Sequence, residues 1–586
     1  MRYQSNMVAK ISLPWLLAAL ACVLILSCAA SCGKPQNTYS VEDFDKLTSE
    51  LVYGSLALSP SSATQAGYHT HNGIALDELL DDYSAAGIQA SRDFYARMRA
   101  RVSVYEKDAL SARSLDKEQA ADVEIMKNDI GLNLLELDSI RSFQHNPTVY
   151  VELAGNALFE CYMLNYAPLD KRFEHITKRL EKMPALFEQA KANLTDAPEV
   201  WNRVAQEENL GNIDLIDKTL RAAAPEAQKA DYNRAADQAI AALRDFNAFL
   251  RDTLSKKTSD WRLGKEKYAR KFEYELAIGK TPEQLLAEAE AELQAKRAEM
   301  AKLAAPKTVE QALNEIARQH ATPDTYMDAA RKTLAQATAF VKEKGLVTLP
   351  TRGNLQVTET PEYIRGIYAV GGFNPAPALE PQLGAFYWVT PIPKTLPKER
   401  VESKLREYNR FGLQQLTVHE AMPGHYVQME YANDVQPQSR RVLRNISGNV
   451  PYIEGWAFYT QQMMSDEGYL ADQPGMRLTM LKQMLRGIAN TILDIRLQTM
   501  GMTDQEALDL MIKETYQEKE EATAKLQRAQ LSSCQLPTYF AGWKGWLDTR
   551  EQFKKKRGSA YTLRDFHERA LKESAVPMSV LGKLIQ

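Results

Sequence analysis

Two histidines and a glutamate in one short segment are the residues of this sequence best suited to catalysis. Residues 416–428 read LTVHEAMPGHYVQ and place His419, Glu420 and His425 within seven positions, in a chain that has only eight histidines. A zinc hydrolase needs imidazole or carboxylate ligands, an open coordination position and a carboxylate that accepts a proton from water. The segment therefore indicates a metal-dependent hydrolase site.

The spacing of the two histidines does not fit one regular helix. The common zinc motif HExxH sets both imidazoles on one helix face, whereas His419 and His425 differ by about 240° in direction at 3.6 residues per turn. Pro423 and Gly424 lie between them. Proline removes a backbone donor and glycine tolerates unusual backbone angles, so this pair can break the helix and turn the second imidazole towards the first. The alternative is that His419 packs inside a helix and that the Pro-Gly step is an ordinary turn.

A third metal ligand is expected from a later segment of the chain. Glu454 lies in residues 452–459, YIEGWAFY, as a carboxylate at an otherwise apolar helix start. A buried carboxylate without a partner is costly, and a metal ion would satisfy it. A helix-capping role or a structural salt bridge is the alternative for this glutamate.

These motifs resemble those of a bacterial family known as domain of unknown function 885. The similarity is specific at residues 419–428 and 454–457, is looser elsewhere, and extends over roughly residues 41–584. The family is grouped with zinc metallopeptidases of the thermolysin-like clan. The resemblance therefore implies a zinc peptidase.

The resemblance also implies a role for each residue of the motifs. His419, His425 and Glu454 would bind one Zn²⁺ ion, or another divalent metal, and Glu420 would be the general base that activates water. Two neutral imidazoles and one carboxylate leave the ion Lewis-acidic enough to polarise a carbonyl group.

Two residues near the C-terminus extend the resemblance, and one glutamine departs from it. Tyr539 and Arg550 resemble the late tyrosine and arginine of the family, which would stabilise an oxyanion or bind a substrate carboxylate. Packing and surface pairing are the alternative roles. Gln498 stands where the family pattern has a histidine, and glutamine cannot transfer a proton near neutral pH. The substitution predicts slower turnover or altered specificity.

The N-terminus has the pattern of an exported lipoprotein. A basic start is followed by the uncharged, mostly apolar run of residues 11–30, and the tetrapeptide that ends at Cys28 resembles the bacterial lipobox. Cys32 is a second, poorer candidate for lipidation. We expect a signal peptide over residues 1–32, a polar tether over residues 33–40 and a lipid anchor in the outer membrane. A permanent membrane helix is the alternative.

The body of the chain has predominantly helical signatures. From residue 41 onwards, Ala, Leu, Glu, Lys and Gln are abundant and apolar residues recur three and four positions apart. Strand signals are sparse, with the strongest at residues 384–390 and a weaker one at 346–349. We predict a mainly α, two-lobed, metallopeptidase-like protein with a small sheet near the active-site cleft. Its parts are an N-terminal helical region, 41–345, and a catalytic region, 346–586, that contains the HExxPGH motif.

Several local features have structural interpretations. Thr281 and Thr503 each precede a helix start and are predicted to cap it. The acidic stretch of residues 514–521 is predicted to be a solvated helix face. Cys161 and Cys534 are the two cysteines of the body, and the sequence leaves open whether they form a disulfide.

The composition excludes some classes of function. The chain has 586 residues, of which 45% are hydrophobic and 25% charged, and its formal net charge is -3. It therefore has no bulk positive charge with which to attract nucleic acid. The sequence predicts a cell-envelope zinc peptidase that cleaves short peptides, and the alternative is a surface lipoprotein that binds a ligand or partner in the same cleft without efficient turnover. The oligomeric state is left open.

Overall fold

The structure, a computed structural model, describes residues 41–110, 115–361, 365, 370–393 and 395–586. The predicted signal peptide, residues 1–32, and the tether, residues 33–40, lie outside the described residues. Contacts divide the chain into the units Met1–Phe44 and Asp45–Gln586. The border between the regions 41–345 and 346–586 stays a prediction, as does the two-lobed arrangement.

The prediction of a mainly α protein with a small sheet is confirmed. The abundant helix-favouring residues of the body form helices from its start to its C-terminus. In chain order the α-helices of the described residues are α1 Val41–Leu58, α2 Pro60–Ala66, α3 Ala85–Leu110, α4 Lys117–Leu135, α5 Ser142–His145, α6 Thr148–Met163, α7 Leu169–Asn193, α8 Glu199–Asp214, α9 Arg221–Ala223, α10 Lys229–Asp252, α11 Gly264–Leu276, α12 Pro282–Ala304, α13 Val309–Ala317, α14 Tyr326–Lys344, α15 Lys398–Glu407, α16 Arg410–Glu420, α17 His425–Ala432, α18 Gln438–Ile446, α19 Val450–Asp466, α20 Pro474–Thr499, α21 Asp504–Asp509, α22 Lys519–Leu531, α23 Thr538–Arg557, α24 Leu563–Lys572 and α25 Met578–Leu584. The strands are β1 Thr70–His71, β2 Ile74–Ala75, β3 Leu355–Glu359, β4 Gly371–Asn374 and β5 Ala385–Val389.

Two helices begin where the sequence predicts. The Thr281 hydroxyl accepts a hydrogen bond from the Gln284 backbone N–H, and the Gln284 side chain accepts one from the Thr281 N–H. Thr503 and Glu506 form the same reciprocal cap at α21. Each cap satisfies backbone donors that have no partner within the helix, which stabilises it by about 1 kcal/mol.

The larger sheet has β5 at its centre, paired in parallel with β3 and antiparallel with β4. All five residues of β5 are buried, and this strand confirms the prediction for residues 384–390. The weaker strand prediction at 346–349 is wrong. Leu346 and Val347 are buried in a segment without strand pairing, and the Leu346 carbonyl accepts a hydrogen bond from the ring of His567. The apolar character of that segment therefore serves packing, and the strand forms only later, as β3.

Helices α19 and α23 meet in direct backbone contact. A Cβ on Gly455 of α19 would lie 2.4 Å from the carbonyl carbon of Gly542 of α23. Helix α20, which is buried along most of its length, packs against both of them and against α16. Because no side chain separates α19 from α23, their relative position is closely defined.

The two cysteines of the body do not form a disulfide. Cys161 and Cys534 are both buried free thiols. Arg179 donates to Sγ of Cys161 at 3.3 Å, whereas Sγ of Cys534 lies 3.8 Å from the carbonyl oxygen of Tyr268. The disulfide that the sequence left open is therefore absent. Among the described residues, no helix has both the length and the apolar character needed to cross a membrane.

Candidate metal centre

The predicted helix break lies between the two histidines of the motif. Helix α16 ends at Glu420 and α17 begins at His425. Gly424 lies against the end of α16, where a Cβ would be 1.8 Å from the carbonyl oxygen of His419 and 2.4 Å from that of Val418. Because a side chain does not fit in this space, glycine allows the two helices to meet so closely.

A buried tryptophan fixes the turn between these helices. The indole Nε1 of Trp456 donates to the carbonyl oxygen of Pro423 at 2.9 Å and to that of Gly424 at 3.2 Å. Trp456 is fully buried and follows Glu454 by two positions in α19. One helix therefore both supplies the predicted third ligand and holds the turn that orients His425.

Helix α16 is anchored on its other sides by polar contacts. The Thr417 hydroxyl lies 3.1 Å from the hydroxyl of Tyr387 in β5 and 2.6 Å from that of Thr333 in α14. The Gln461 side chain of α19 donates to the carbonyl oxygen of Gln415 at 3.0 Å. These buried hydrogen bonds connect α16 to the sheet and to α19, so the position of His419 is set by several elements.

Three side chains converge in front of the helix break. Nε2 of His419 and Nε2 of His425 each lie 3.5 Å from Oε2 of Glu454, and the candidate ligand atoms all lie within 4.8 Å of one another. Ligand atoms that are about 2.0–2.1 Å from a tetrahedral zinc ion lie about 3.3–3.5 Å from each other. The separations of both histidines from Glu454 match this value, so the three residues are candidates for binding one zinc ion.

The electrostatics of the cluster also suit a cation. Oε2 of Glu454 is buried and has no hydrogen-bond partner among the described residues. Burial alone would raise the pKa of the Glu454 carboxyl, but the facing imidazoles of His419 and His425 outweigh burial and lower that pKa. Burial would likewise lower the pKa of His425, and Glu454 outweighs it and raises that pKa. The carboxylate is therefore ionised, and one anionic oxygen with two imidazoles is a donor set that zinc prefers.

The cluster opens into a cavity of about 1050 Å³ that Glu420 also lines. Glu420 follows His419 in the last turn of α16 but is not one of the three converging groups. The rings of Phe458 and Phe373 lie with their centroids 6.4 Å from those of His419 and His425, respectively. Aromatic walls around a few convergent polar groups are typical of a ligand-binding pocket, and Glu420 lies on the wall of this one.

Tyr539 lies at the site, and Arg550 does not. Tyr539 lines the cavity, and its ring stacks with that of His419 at a centroid distance of 6.2 Å. Arg550 is not among the described residues that line the cavity, and its guanidinium lies 5.6 Å from the ring centroid of Tyr459. Arg486 and Arg528 both line the cavity, and Nη2 of Arg528 donates to the Tyr539 hydroxyl at 3.3 Å. The structure therefore places Arg528, and not Arg550, beside Tyr539 at the cavity.

Gln498, which departs from the family pattern, lies outside the cavity lining. Its Oε1 accepts a hydrogen bond from the Leu263 backbone N–H at 2.8 Å, and its Nε2 donates to the carbonyl oxygen of Ser532 at 3.1 Å. The side chain is buried and connects α20 to two other segments. Gln498 was the sequence feature in favour of a binding protein without turnover, and its position gives that alternative no support.

The acidic stretch of residues 514–521 is only partly a solvated helix face. Glu518 pairs with Arg406 at 3.0 Å. Glu521 lines the cavity and pairs with Arg486, and both side chains are largely buried. The prediction is corrected because both carboxylates pair with arginines of neighbouring helices and α22 turns Glu521 towards the cavity.

Comparisons with known proteins agree with the motifs. The family model described as "Bacterial protein of unknown function (DUF885)" matches residues 60–585. A solved structure described as "a putative lipoprotein of unknown function" from Shewanella oneidensis is 29% identical, with a TM-score of 0.75, and the alignment covers 92% of this chain and 99% of that one. The "putative lipoprotein" from Colwellia psychrerythraea is 18% identical and has the same fold, with a TM-score of 0.73 and coverage of 93% and 98%. No curated protein sequence matches the chain. The chain belongs to the DUF885 family of bacterial proteins.

Proposed function

We propose that this protein is a zinc-dependent peptidase of the cell envelope that hydrolyses amide bonds in short peptides. The observation that carries the proposal is the convergence of His419, His425 and Glu454, in which both histidines lie 3.5 Å from Glu454. Glu420 lies on the wall of the same cavity. The thermolysin-like clan and a two-lobed, metallopeptidase-like body belong to the same proposal.

The chain's own residues divide the chemistry between them. Zn²⁺ held by such ligands supplies Lewis acidity, which polarises a carbonyl group and acidifies water. Glu420 accepts the proton of the attacking water on a carboxylate oxygen and passes it to the departing amine. Tyr539 donates a hydrogen bond to the carbonyl oxygen as negative charge develops on it.

The cavity favours short, extended substrates. Its volume of about 1050 Å³ is at the upper end of the usual range for small-molecule sites, which is about 300–1,000 Å³. Gly371, Gly372 and Phe373 of β4 line it, and among the described residues β4 pairs only with β5. A peptide in extended form can add to the outer edge of such a strand through backbone hydrogen bonds.

The envelope location rests on the N-terminus and on the solved relatives. The tetrapeptide ending at Cys28 is lipobox-like, with Cys32 as the second candidate, and both solved relatives are named as lipoproteins. We propose that the mature protein is anchored by a lipid on one of these cysteines, in the outer membrane, with peptides as its substrates.

The proposal is tested by metal removal and restoration. The purified protein is incubated with a mixture of short peptides, and the products are identified by mass spectrometry before chelation, after chelation and after zinc is added back. We expect cleavage that stops with the chelator and returns with about one equivalent of zinc, because a single site is formed. A zinc-loaded protein that leaves every peptide intact would contradict the proposal.

A further inference from the structure

Lys525 is a buried cation without a partner on the cavity wall. The residue is 6% exposed and lines the cavity from α22. Within the part of the chain that the structure describes, its ammonium group forms no hydrogen bond or ion pair. Lys482, which is also buried, instead pairs with Glu407 at 2.7 Å. Because an unpaired buried charge is costly, Lys525 is better suited to binding a ligand than to stabilising the fold.

A second cation lies on the same face of α22. Arg528 follows Lys525 by three positions and also lines the cavity. Its Nη2 donates to Oε1 of Gln535 at 3.1 Å and to the hydroxyl of Tyr539 at 3.3 Å, and no carboxylate of the described residues pairs with it. Glu521, one turn before Lys525, is already engaged by Arg486. This face of α22 therefore offers two cations to the cavity and no free carboxylate beside them.

The surroundings of Lys525 favour an incoming anion. Burial, followed by the charges of Arg486 and Arg528, lowers the pKa of the Lys525 ammonium. An anion bound between Lys525 and Arg528 would pair with both groups and so stabilise the charged form of Lys525. The electrostatic cost of placing these two cations close together is thus recovered when a ligand of negative charge binds.

We propose that Lys525 and Arg528 bind the C-terminal carboxylate of the peptide substrate. This inference rests on the proposed function and specifies its substrate class as peptides with a free carboxyl terminus. A guanidinium and an ammonium are the side chains that bind a carboxylate with charge-assisted hydrogen bonds. The side chains of aspartate and glutamate also carry a carboxylate, and the experiment distinguishes a terminal carboxylate from a side-chain one.

The position of the pair sets where the peptide would be cut. Arg528 contacts Tyr539, whose ring stacks with that of the ligand His419. An extended peptide advances about 3.3–3.6 Å per residue, so a carboxylate held at Arg528 places one of the last few peptide bonds at the metal cluster. The proposed enzyme therefore removes single residues or short fragments from the C-terminus.

The test compares the binding of three short peptides by calorimetry. They are trialanine, trialanine amide, and the amide of Ala-Ala-Glu, which carries a carboxylate only on its side chain. The zinc-loaded Glu420→Gln protein is used so that no probe is consumed, and Lys525→Met is added to it. Lys519→Met, a change at an exposed position at the start of the same helix, is the matched control. Lys525→Arg retains the positive charge.

We expect the parent protein to bind trialanine at least about tenfold more tightly than its amide, as one charge-assisted contact is worth about that factor. Lys525→Met should remove most of this preference without weakening amide binding, whereas Lys519→Met and Lys525→Arg should retain it. The unfolding temperature of Lys525→Met should equal or exceed that of the parent, because the substitution removes an unpaired buried charge.

Three results would overturn the inference. Equal binding of trialanine and its amide would remove the carboxylate subsite. Equal binding of trialanine and the Ala-Ala-Glu amide would assign the subsite to acidic side chains. A uniform loss of affinity for all probes in Lys525→Met would indicate a structural role. Failure of the proposed function can be told apart from these results. In that case the wild-type protein would leave the peptides intact in the cleavage assay, but the binding preferences could still be measured by calorimetry.

Discussion

Glu420→Gln is expected to lower the turnover of peptide hydrolysis by about 10²–10⁴-fold and to leave zinc binding unchanged. Glutamine has nearly the shape of glutamate, but its amide does not accept a proton near neutral pH. Glu420 lines the cavity without being one of the three converging groups. The variant should therefore separate catalysis from metal binding, and both are measured on the same preparation by peptide cleavage and metal analysis.

A second glutamate of the cavity provides the control for this result. Glu207 of α8 also lines the cavity but is exposed and is not part of the metal cluster. Glu207→Gln should retain most of the wild-type turnover, because it changes the same charge without removing the base. Full activity in Glu420→Gln would show that another group accepts the proton and would contradict the mechanism.

Gly424→Ala is expected to lower zinc affinity at least about tenfold and to destabilise the protein by about 1–3 kcal/mol, the usual effect of overpacking. The added Cβ would lie 1.8 Å from the carbonyl oxygen of His419, so the backbone of one helix must move. A metal site tolerates displacements of only about 0.5 Å before its ligands lose their geometry. The measurements are zinc titration and the unfolding temperature with and without zinc.

Gly582→Ala is the matched control for this change. Its Cβ would lie 3.2 Å from the end of the flexible Gln552 side chain and 3.9 Å, an ordinary contact distance, from Cγ2 of Thr549. We expect zinc affinity to be unchanged in this variant. If Gly424→Ala bound zinc as tightly as the wild type, the close approach of α16 and α17 would not be needed to assemble the site, and this part of the account would be wrong.

The sequence predicted the helix break because the chemistry and the spacing conflict there. His419 and His425 cannot face one ion on a regular helix, and only Pro423 and Gly424 between them provide a means of bending the backbone. The position of Glu454 followed from a similar conflict, a carboxylate in an apolar helix start. Candidate site residues are therefore easiest to recognise in a sequence where a polar or metal-binding side chain does not suit its local surroundings.

The sequence did not identify Arg528 as the arginine beside Tyr539, because that contact depends on how the helices pack. Arg550 follows Tyr539 by eleven residues in α23, so it lies on nearly the same face but about 16 Å further along the axis. Arg528 comes from a different helix, α22, and reaches Tyr539 only through tertiary packing. The spacing of Glu521, Lys525 and Arg528, four and three residues apart, does mark one face of α22, but nothing local shows that this face borders a cavity.

The weaker strand prediction failed for a related reason. Residues 346–349 are rich in apolar and β-branched side chains, which is typical of a strand, yet Leu346 and Val347 are buried without strand pairing. The Leu346 carbonyl accepts a hydrogen bond from His567 of α24 instead. Burial can satisfy such residues without strand pairing. The strong prediction held because the aromatic residues of β5 both pair with two strands and fill the core.

The central claim is that one zinc ion is held by His419, His425 and Glu454, and anomalous diffraction at the zinc absorption edge tests it most directly. Crystals of the zinc-loaded protein should show one strong peak between these three side chains, at about 2.0–2.2 Å from each ligand atom, and the peak should disappear in His425→Ala. A zinc-loaded crystal with no peak at this cluster, or a peak that persists undiminished in His425→Ala, would contradict the account.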